Sequence, residues 1–295
     1  MYFINSYVMC PPSFYGVSYC INPWMRTNLN QVCRERAHQQ WQALRALIEA
    51  QAEVLQLAPQ EGLPDMPFTA NGGLILEGKV ILSRFLHAQR RGEEEYFERW
   101  FLLHHYDVCR LPPDIVFEGA GDCLFDRKEA VLWAGYGFRS AFASHAFLAR
   151  MLDVEVVSLR LIDSRFYHLD TCFCPLEGGH LLYYPLAFDD ASLNAIARRV
   201  PEERRIALSE RDALNFACNA INIGDRVILN RAGPELVRRL SDAGLETVQT
   251  DLSEFIRAGG AAKCLTLRLN EARLQHRGPV VSASLSNGAR LRTDL

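Results

Sequence analysis

Asn71-Gly72-Gly73-Leu74-Ile75-Leu76-Glu77-Gly78-Lys79-Val80-Ile81-Leu82 holds two short β-rich runs joined by a polar pair, Glu77-Gly78. A two-residue turn containing glycine between such runs is a hairpin signal. The pattern recurs along the chain without sequence identity. Asp122-Cys123-Leu124-Phe125 turns through Asp126 to Glu129 into Ala130-Val131-Leu132-Trp133, and Thr171-Cys172-Phe173-Cys174 turns at Glu177-Gly178-Gly179 into His180-Leu181-Leu182-Tyr183-Tyr184. Asn219-Ala220-Ile221-Asn222-Ile223 turns at Gly224-Asp225 into Arg226-Val227-Ile228-Leu229, and a last run, Cys264 to Leu269, stands alone. The starts at 71, 122, 171, 219 and 264 are 51, 49, 48 and 45 residues apart, the mark of a repeat architecture.

Helical periodicity fills the intervals: Ala37, Trp41, Leu44 and Ile48; Tyr96, Phe97, Trp100 and Phe101; Phe142, Ala146 and Ala149; and Leu236, Val237 and Leu240 between Pro234 and Gly244. A further extended run follows each helix: Glu53 to Leu57, Val108 to Leu111, Val154 to Leu161, Arg205 to Leu208 and Glu246 to Thr250. The unit is hairpin, helix, strand. An α/β ring of five units is expected, closed by pairing of Tyr2 to Met9 with Leu265 to Leu269, which leaves few sheet edges open. The competing reading is two ordinary α/β domains with coincidental spacing. Residues 1–271 form the expected domain, and 272–295, with Gly278-Pro279 and Ser/Asn/Gly punctuation, read as a tail or linker.

In a ring of repeats, equivalent loops face one axis, so their polar residues converge. Those loops carry Asp65 and Asn71, then Glu118 and Asp122, then His168 and Asp170, then Asn215 and Asn219, and finally Cys264. Ala258-Gly259-Gly260-Ala261-Ala262-Lys263 delivers Cys264, and paired glycines let backbone or ligand approach the thiol closely. A thiol is mostly protonated at neutral pH and needs a base or a cation to become a nucleophile. His168 is the candidate base, with Asp170 two residues on expected to orient its imidazole. Glu118, in a Gly-rich loop, suits either loop amides or a cationic substrate. Asp122 reads as loop-shaping and Glu93-Glu94-Glu95 as a helix start favoured by the dipole. Arg90 and Arg139 are candidates to hold a substrate carboxylate.

Composition excludes several classes. The 295 residues are 49% hydrophobic, enough for a sizeable core, and a net charge of -3 gives no basic field for nucleic acid. No segment is apolar over the ~18 residues that a membrane span requires, and the N-terminus lacks a signal-peptide pattern, so a cytoplasmic protein is expected. Nine irregularly spaced cysteines argue against a disulfide framework. Cys172-Phe173-Cys174 has no second ligand pair at zinc spacing, so no metal is expected.

These residues resemble the guanidino-group-modifying (pentein) superfamily of arginine deiminases, dimethylarginine dimethylaminohydrolases and amidinotransferases. The likeness spans roughly Met9 to Arg268 and rests on Leu63-Pro64-Asp65, Phe117-Glu118-Gly119-Ala120-Gly121-Asp122, Tyr167-His168-Leu169-Asp170 and the Gly-Gly-x-x-x-Cys run ending at Cys264. Cys10-Pro11-Pro12, Ile21-Asn22-Pro23-Trp24-Met25, Phe68-Thr69-Ala70-Asn71, Trp133 to Ser140 and Asn215 to Asn219 are similar to the arginine dihydrolase branch. The resemblance implies a five-bladed β/α propeller with a central active site, and hydrolysis of L-arginine to L-ornithine with water as cosubstrate and no cofactor. It implies Cys264, His168 and Glu118 as catalytic residues, with Asn22, Asn71, Arg90, Arg139, Asp170 and the Ala258 carbonyl as substrate contacts.

Relatives in that branch carry a fused cyclodeaminase-like domain; this sequence does not show one, so ornithine is expected to be released. Deiminases and dimethylaminohydrolases of the superfamily place an Asp where Asn71 stands, and a neutral Asn suits both a guanidinium and an uncharged ureido intermediate. Deiminase, amidinotransferase and non-catalytic binding-module readings stay open, as does oligomeric state, a homo-oligomer included.

Overall fold

Glu77 and Gly78 both adopt positive φ, 51° and 80°, the backbone that a two-residue primed turn requires and the reason glycine sits second. The structure, a computed structural model, describes residues 5–272. Around that turn, Gly73–Leu76 pairs antiparallel with Lys79–Leu82, which pairs parallel with Asp107–Cys109 on its other edge. The parallel return requires a crossover, supplied by the helix Glu93–Leu103.

This arrangement repeats. Cys123–Phe125, Val131–Tyr136 and Glu155–Arg160 form the second sheet; Phe173–Leu176, His180–Tyr183 and Arg205–Ala207 the third; Ile221–Ile223, Arg226–Leu229 and Glu246–Gln249 the fourth. In each, the middle strand is antiparallel to the first and parallel to the third. The helices Ser144–Leu152, Asp190–Arg199 and Pro234–Asp242 make their crossovers. The fifth sheet is assembled from both ends of the described chain. Asn5–Met9 lies between Leu267–Arg268, antiparallel in the register Tyr7 to Arg268 and Val8 to Leu267, and Ala52–Gln56, parallel across the helix Arg34–Glu49. The closing strand expected from Tyr2 thus begins at Asn5 among the described residues. The tail expected over 272–295 lies outside them from residue 273 on.

The helices bury the faces their periodicity marks. Ala37, Trp41, Leu44 and Ile48 are all buried on Arg34–Glu49, as are Leu236 and Leu240 on Pro234–Asp242. One face differs. Ser144–Leu152 buries Ser144, His145, Leu148 and Leu152, while Phe142 precedes the helix and is exposed. The larger Leu148 and Leu152 gain more from burial than Ala146 and Ala149, at about 0.8 kcal/mol per buried methylene, and so set the helix rotation. Apolar contacts bridge neighbouring sheets: the Trp133 and Phe173 rings lie 5.2 Å apart, and Tyr15 stacks on Phe255 at 4.9 Å. All nine cysteines are free thiols. Among the described residues no helix is long and apolar enough to cross a membrane.

Candidate active site

Each sheet presents one polar side chain at or just before the start of its first strand. Asn71 lies in the turn Thr69–Gly72, Glu118 immediately before the turn Gly119–Asp122, and His168 immediately before Leu169–Thr171; Asn219 and Cys264 precede the first strands of the fourth and fifth sheets. All five are buried. Glycines make that convergence possible. A Cβ on Gly121 would lie 2.2 Å from Asn71 Nδ2 and 3.5 Å from His168 Cγ, and one on Gly260 would lie 3.0 Å from Cys264 Cβ.

Cys264 Sγ faces the Asp170 carboxylate, 3.4 and 3.5 Å from its two oxygens. Asn219 holds the cysteine from the other side. Its Oδ1 accepts from the amides of Ala261 (2.9 Å) and Cys264 (3.1 Å), while Nδ2 donates to Cys264 Sγ (3.1 Å) and the Asp170 carbonyl (3.0 Å). Burial, then the adjacent Asp170 charge, push the thiol well above its ordinary pKa, so it rests as a neutral S–H donor. Burial likewise raises Asp170 to about 6, against the opposing pull of Lys263.

His168 Nε2 lies 2.7 Å from Glu118 Oε2, which also accepts from Arg139 at 2.9 Å. Burial alone would raise Glu118, but Arg139 and His168 hold it well below the usual carboxylate range. An ionised carboxylate only accepts, so Nε2 carries the proton here. This corrects the expectation that Asp170 orients the imidazole. Leu169–Thr171 is a 3-10 turn, with Thr171 Oγ1 donating to the His168 carbonyl at 2.6 Å. A turn does not alternate side chains as a strand does, so Asp170 is directed to the thiol and Glu118 takes the histidine.

Arg90 and Arg139 both border the chamber, yet their guanidinium groups are engaged. Arg90 makes a two-pronged pair with Glu93 at 2.9 and 2.8 Å and donates to Asn71 Oδ1 at 2.9 Å. Arg139 donates to Glu118 and to the Ile21 carbonyl at 3.0 Å, and its guanidinium lies 4.5 Å from the Tyr167 ring centroid. Glu93 opens the helix Glu93–Leu103 as its place in the acidic run suggests, and it is also fully buried in that pair. Asp122 does shape its loop, accepting from the amides of Ser140 and Leu169, both at 3.1 Å. Asn22 Nδ2 donates to the Ala258 carbonyl at 2.9 Å and closes one wall. Between these groups lies a chamber of about 10 Å³. Asp65 Oδ1, also on its lining, is buried without a hydrogen-bond partner among the described residues.

The model of the eukaryotic N,N-dimethylarginine dimethylhydrolase family matches residues 21–270. The chain belongs to that family. Within the family's reach, the bifunctional arginine dihydrolase/ornithine cyclodeaminase AgrE of Nostoc sp. is 56% identical over 265 residues, covering 90% of this chain and 38% of AgrE. The chain therefore spans about two fifths of that relative's length. A dimethylarginine dimethylaminohydrolase of Mycobacterium tuberculosis is 37% identical over 265 residues, 90% of this chain and 85% of that protein. The solved N-terminal domain of ArgZ, an arginine dihydrolase of cyanobacteria captured with substrate, superposes with a TM-score of 0.91 at 54% identity. The match covers 92% of this chain and 100% of that domain.

Asn219, Tyr167 and Asp65 border this site, and the sequence reading gave none of them a chemical role in it. Tyr167 donates to the Gly259 carbonyl at 2.9 Å and lines the chamber. Asn219 carried one available signal: it stands at the fourth repeat's equivalent of Asn71 and Cys264.

Proposed function

We propose that this chain hydrolyses L-arginine to L-ornithine, carbon dioxide and two molecules of ammonia, consuming two waters. The observation that carries the reading is a buried thiol facing a carboxylate, next to a separate Glu-His pair, with the uncharged Asn71 amide lining the same chamber. The relatives named as arginine dihydrolases support it.

The neutral resting thiol fits a cationic substrate. A guanidinium entering beside Asp170 and Glu118 supplies the positive charge that a thiolate lacks in the empty chamber. Cys264 Sγ, giving its proton to Asp170, attacks the guanidinium carbon. An imidazolium at His168 protonates the departing ammonia from Nδ1, the ring nitrogen that Glu118 does not hold; Nε2–H stays hydrogen-bonded to Glu118 in both protonation states, and Nδ1 then takes a proton from the attacking water. Collapse of that adduct expels the thiolate and leaves a neutral ureido group. Asn71 keeps no charge in the chamber to disfavour that group, so a second round of attack and hydrolysis releases the second ammonia, carbon dioxide and ornithine.

Asp65 Oδ1 is the unsatisfied acceptor suited to the substrate's amino group, and Asn22 with the Ala258 carbonyl forms the wall that opens for entry. Arg139 and Arg90 position Glu118 and Asn71, and reach a substrate carboxylate only by sharing their present bonds. The five like sheets support one five-bladed β/α propeller of pseudo-fivefold symmetry over residues 1–271, with this site on its axis.

End-point analysis of arginine turnover, with Cys264→Ala as control, tests the reading. Ornithine with two ammonia per arginine is expected. Citrulline with one ammonia would make this a deiminase, and dimethylamine from dimethylarginine in preference to arginine turnover would place it with the methylarginine hydrolases of the family.

A further inference from the structure

Farther along the first strands, past the catalytic chamber, lies a second cavity of about 50 Å³ walled by Leu74, Phe173 and Leu267 and by the charged groups Arg127, Lys263, Arg268 and Glu271. Three cations face one carboxylate. Arg127 and Glu271 satisfy each other through two hydrogen bonds of 2.7 and 2.9 Å; Arg268 stands 3.9 Å from the same carboxylate, and Lys263 acts at longer range on Asp170 and Glu271. Among the described residues Lys263 Nζ has no carboxylate within salt-bridge distance, and its one contact is the Ala120 carbonyl at 3.4 Å. Arg268 gives one amino group to Asn5 Oδ1 at 2.6 Å, but among the described residues its Nε–H is buried with no hydrogen-bond acceptor, Glu271 Oε1 being 3.9 Å away. That separation is too long for a hydrogen bond. A buried donor left without an acceptor is costly, and an anion beside it would supply one.

We propose that this cavity binds a small oxyanion of the carboxylate class, held by Lys263 Nζ and Arg268 Nε. The volume admits one or two water-sized groups, so the ligand has the size of formate or bicarbonate. The cavity adjoins a groove of about 660 Å³ with which it shares Phe125, Arg127, Arg268 and Glu271. Tyr7 lines the same cavity, and burial holds its hydroxyl up at about 12, a further neutral donor. The site is chemically separate from the catalytic chamber but adjoins it through the backbone, Lys263 preceding Cys264. Bicarbonate is also the hydrated form of the carbon dioxide released in the proposed reaction. That clause rests on the functional reading, whereas anion binding does not.

The test is calorimetric titration of sodium formate and, separately, sodium bicarbonate into the full chain, in its native form and as the turnover-free Cys264→Ser variant, at constant ionic strength against sodium chloride. Saturable one-to-one binding of either oxyanion to both forms is expected, weakened at least tenfold in Lys263→Met and in Arg268→Gln. Bicarbonate binding without formate binding identifies the product anion, and binding of both identifies a general carboxylate site. Heats no different from chloride, or binding unchanged in the variants, overturn the proposal. Should Lys263→Met fail to fold, Arg268→Gln alone decides. Loss of arginine turnover with anion binding intact would count against the functional reading only.

Discussion

Replacing Asn219 by alanine isolates what the fourth sheet contributes to the thiol. The side chain makes four hydrogen bonds, and its loss strands the buried amides of Ala261 and Cys264. At about 1–3 kcal/mol for each orphaned donor, the variant is expected to be about 2–6 kcal/mol less stable to urea. The bond to sulfur has a separate effect. A hydrogen bond to a charged group is worth about 1.5–3 kcal/mol, so withdrawing Nδ2–H from the developing thiolate should slow attack by about 10-fold to 150-fold. Peptide-resolved mass spectrometry of iodoacetamide labelling, in a background lacking the exposed Cys20 and Cys33, reads the Cys264 rate directly, and kcat for arginine follows in parallel. Asn219→Asp separates the two effects. It keeps an acceptor for both amides, so it should be the more stable variant, yet it sets a second carboxylate against the sulfur and should be the slower to alkylate. Labelling rates and kcat equal to the parent in both variants would refute the assignment of Asn219 to the thiol.

Asn71→Asp should shift the end product from ornithine towards citrulline, because a fixed charge favours the guanidinium over the ureido group; mainly ornithine from that variant would remove the charge argument. Glu118→Gln should lower kcat by about 10²–10⁴ and destabilise the fold by about 3–5 kcal/mol through the unpaired Arg139, read by steady-state kinetics and urea titration. Asp170 gives the pH dependence. Its pKa rises from 3.8 unfolded to about 6 folded, so the folded state holds the proton more tightly. The resulting stability is present below pH 3.8 and lost as pH rises through about 6, amounting to about 3 kcal/mol at about 1.4 kcal/mol per pH unit. Urea titrations of the parent and Asp170→Asn should therefore diverge across that window, the variant gaining relative stability towards neutral pH; parallel curves would contradict the assignment.

Much of this architecture is legible because turn chemistry is local. Glu77-Gly78 and Gly224-Asp225 announce hairpins in two residues, and their near-constant spacing announces the repeat. Cys264 is legible for the same reason, since only small residues admit the close approach its neighbours make. What escaped reading depends on tertiary placement. Asn219 is one loop asparagine among many until the fold brings the Cys264 loop across it. Glu93 opens a helix three residues after Arg90, so their pairing is local, but that the pair is buried beside Asn71 follows only from the fold. Asp170 reads as the partner of His168, a place that Glu118 holds, because a three-residue turn and a strand cannot be told apart in His-Leu-Asp.

The strand Asn5–Met9 has a consequence for the order of events during synthesis. It is made before the other described strands, but its edge stays unpaired until Leu267–Arg268 arrives, and Ser6 finds Asn270 across 264 positions of chain. At about 5–20 residues per second, the two are apart for on the order of tens of seconds. Cys264 is therefore among the last parts of the described chain to be placed, and the thiol meets Asp170 only once the other four sheets have had time to form. A nascent chain cannot turn over a small guanidino compound halfway through its own translation, and any partner that guards the exposed edge of Asn5–Met9 in that interval is displaced by the same strand that completes the site.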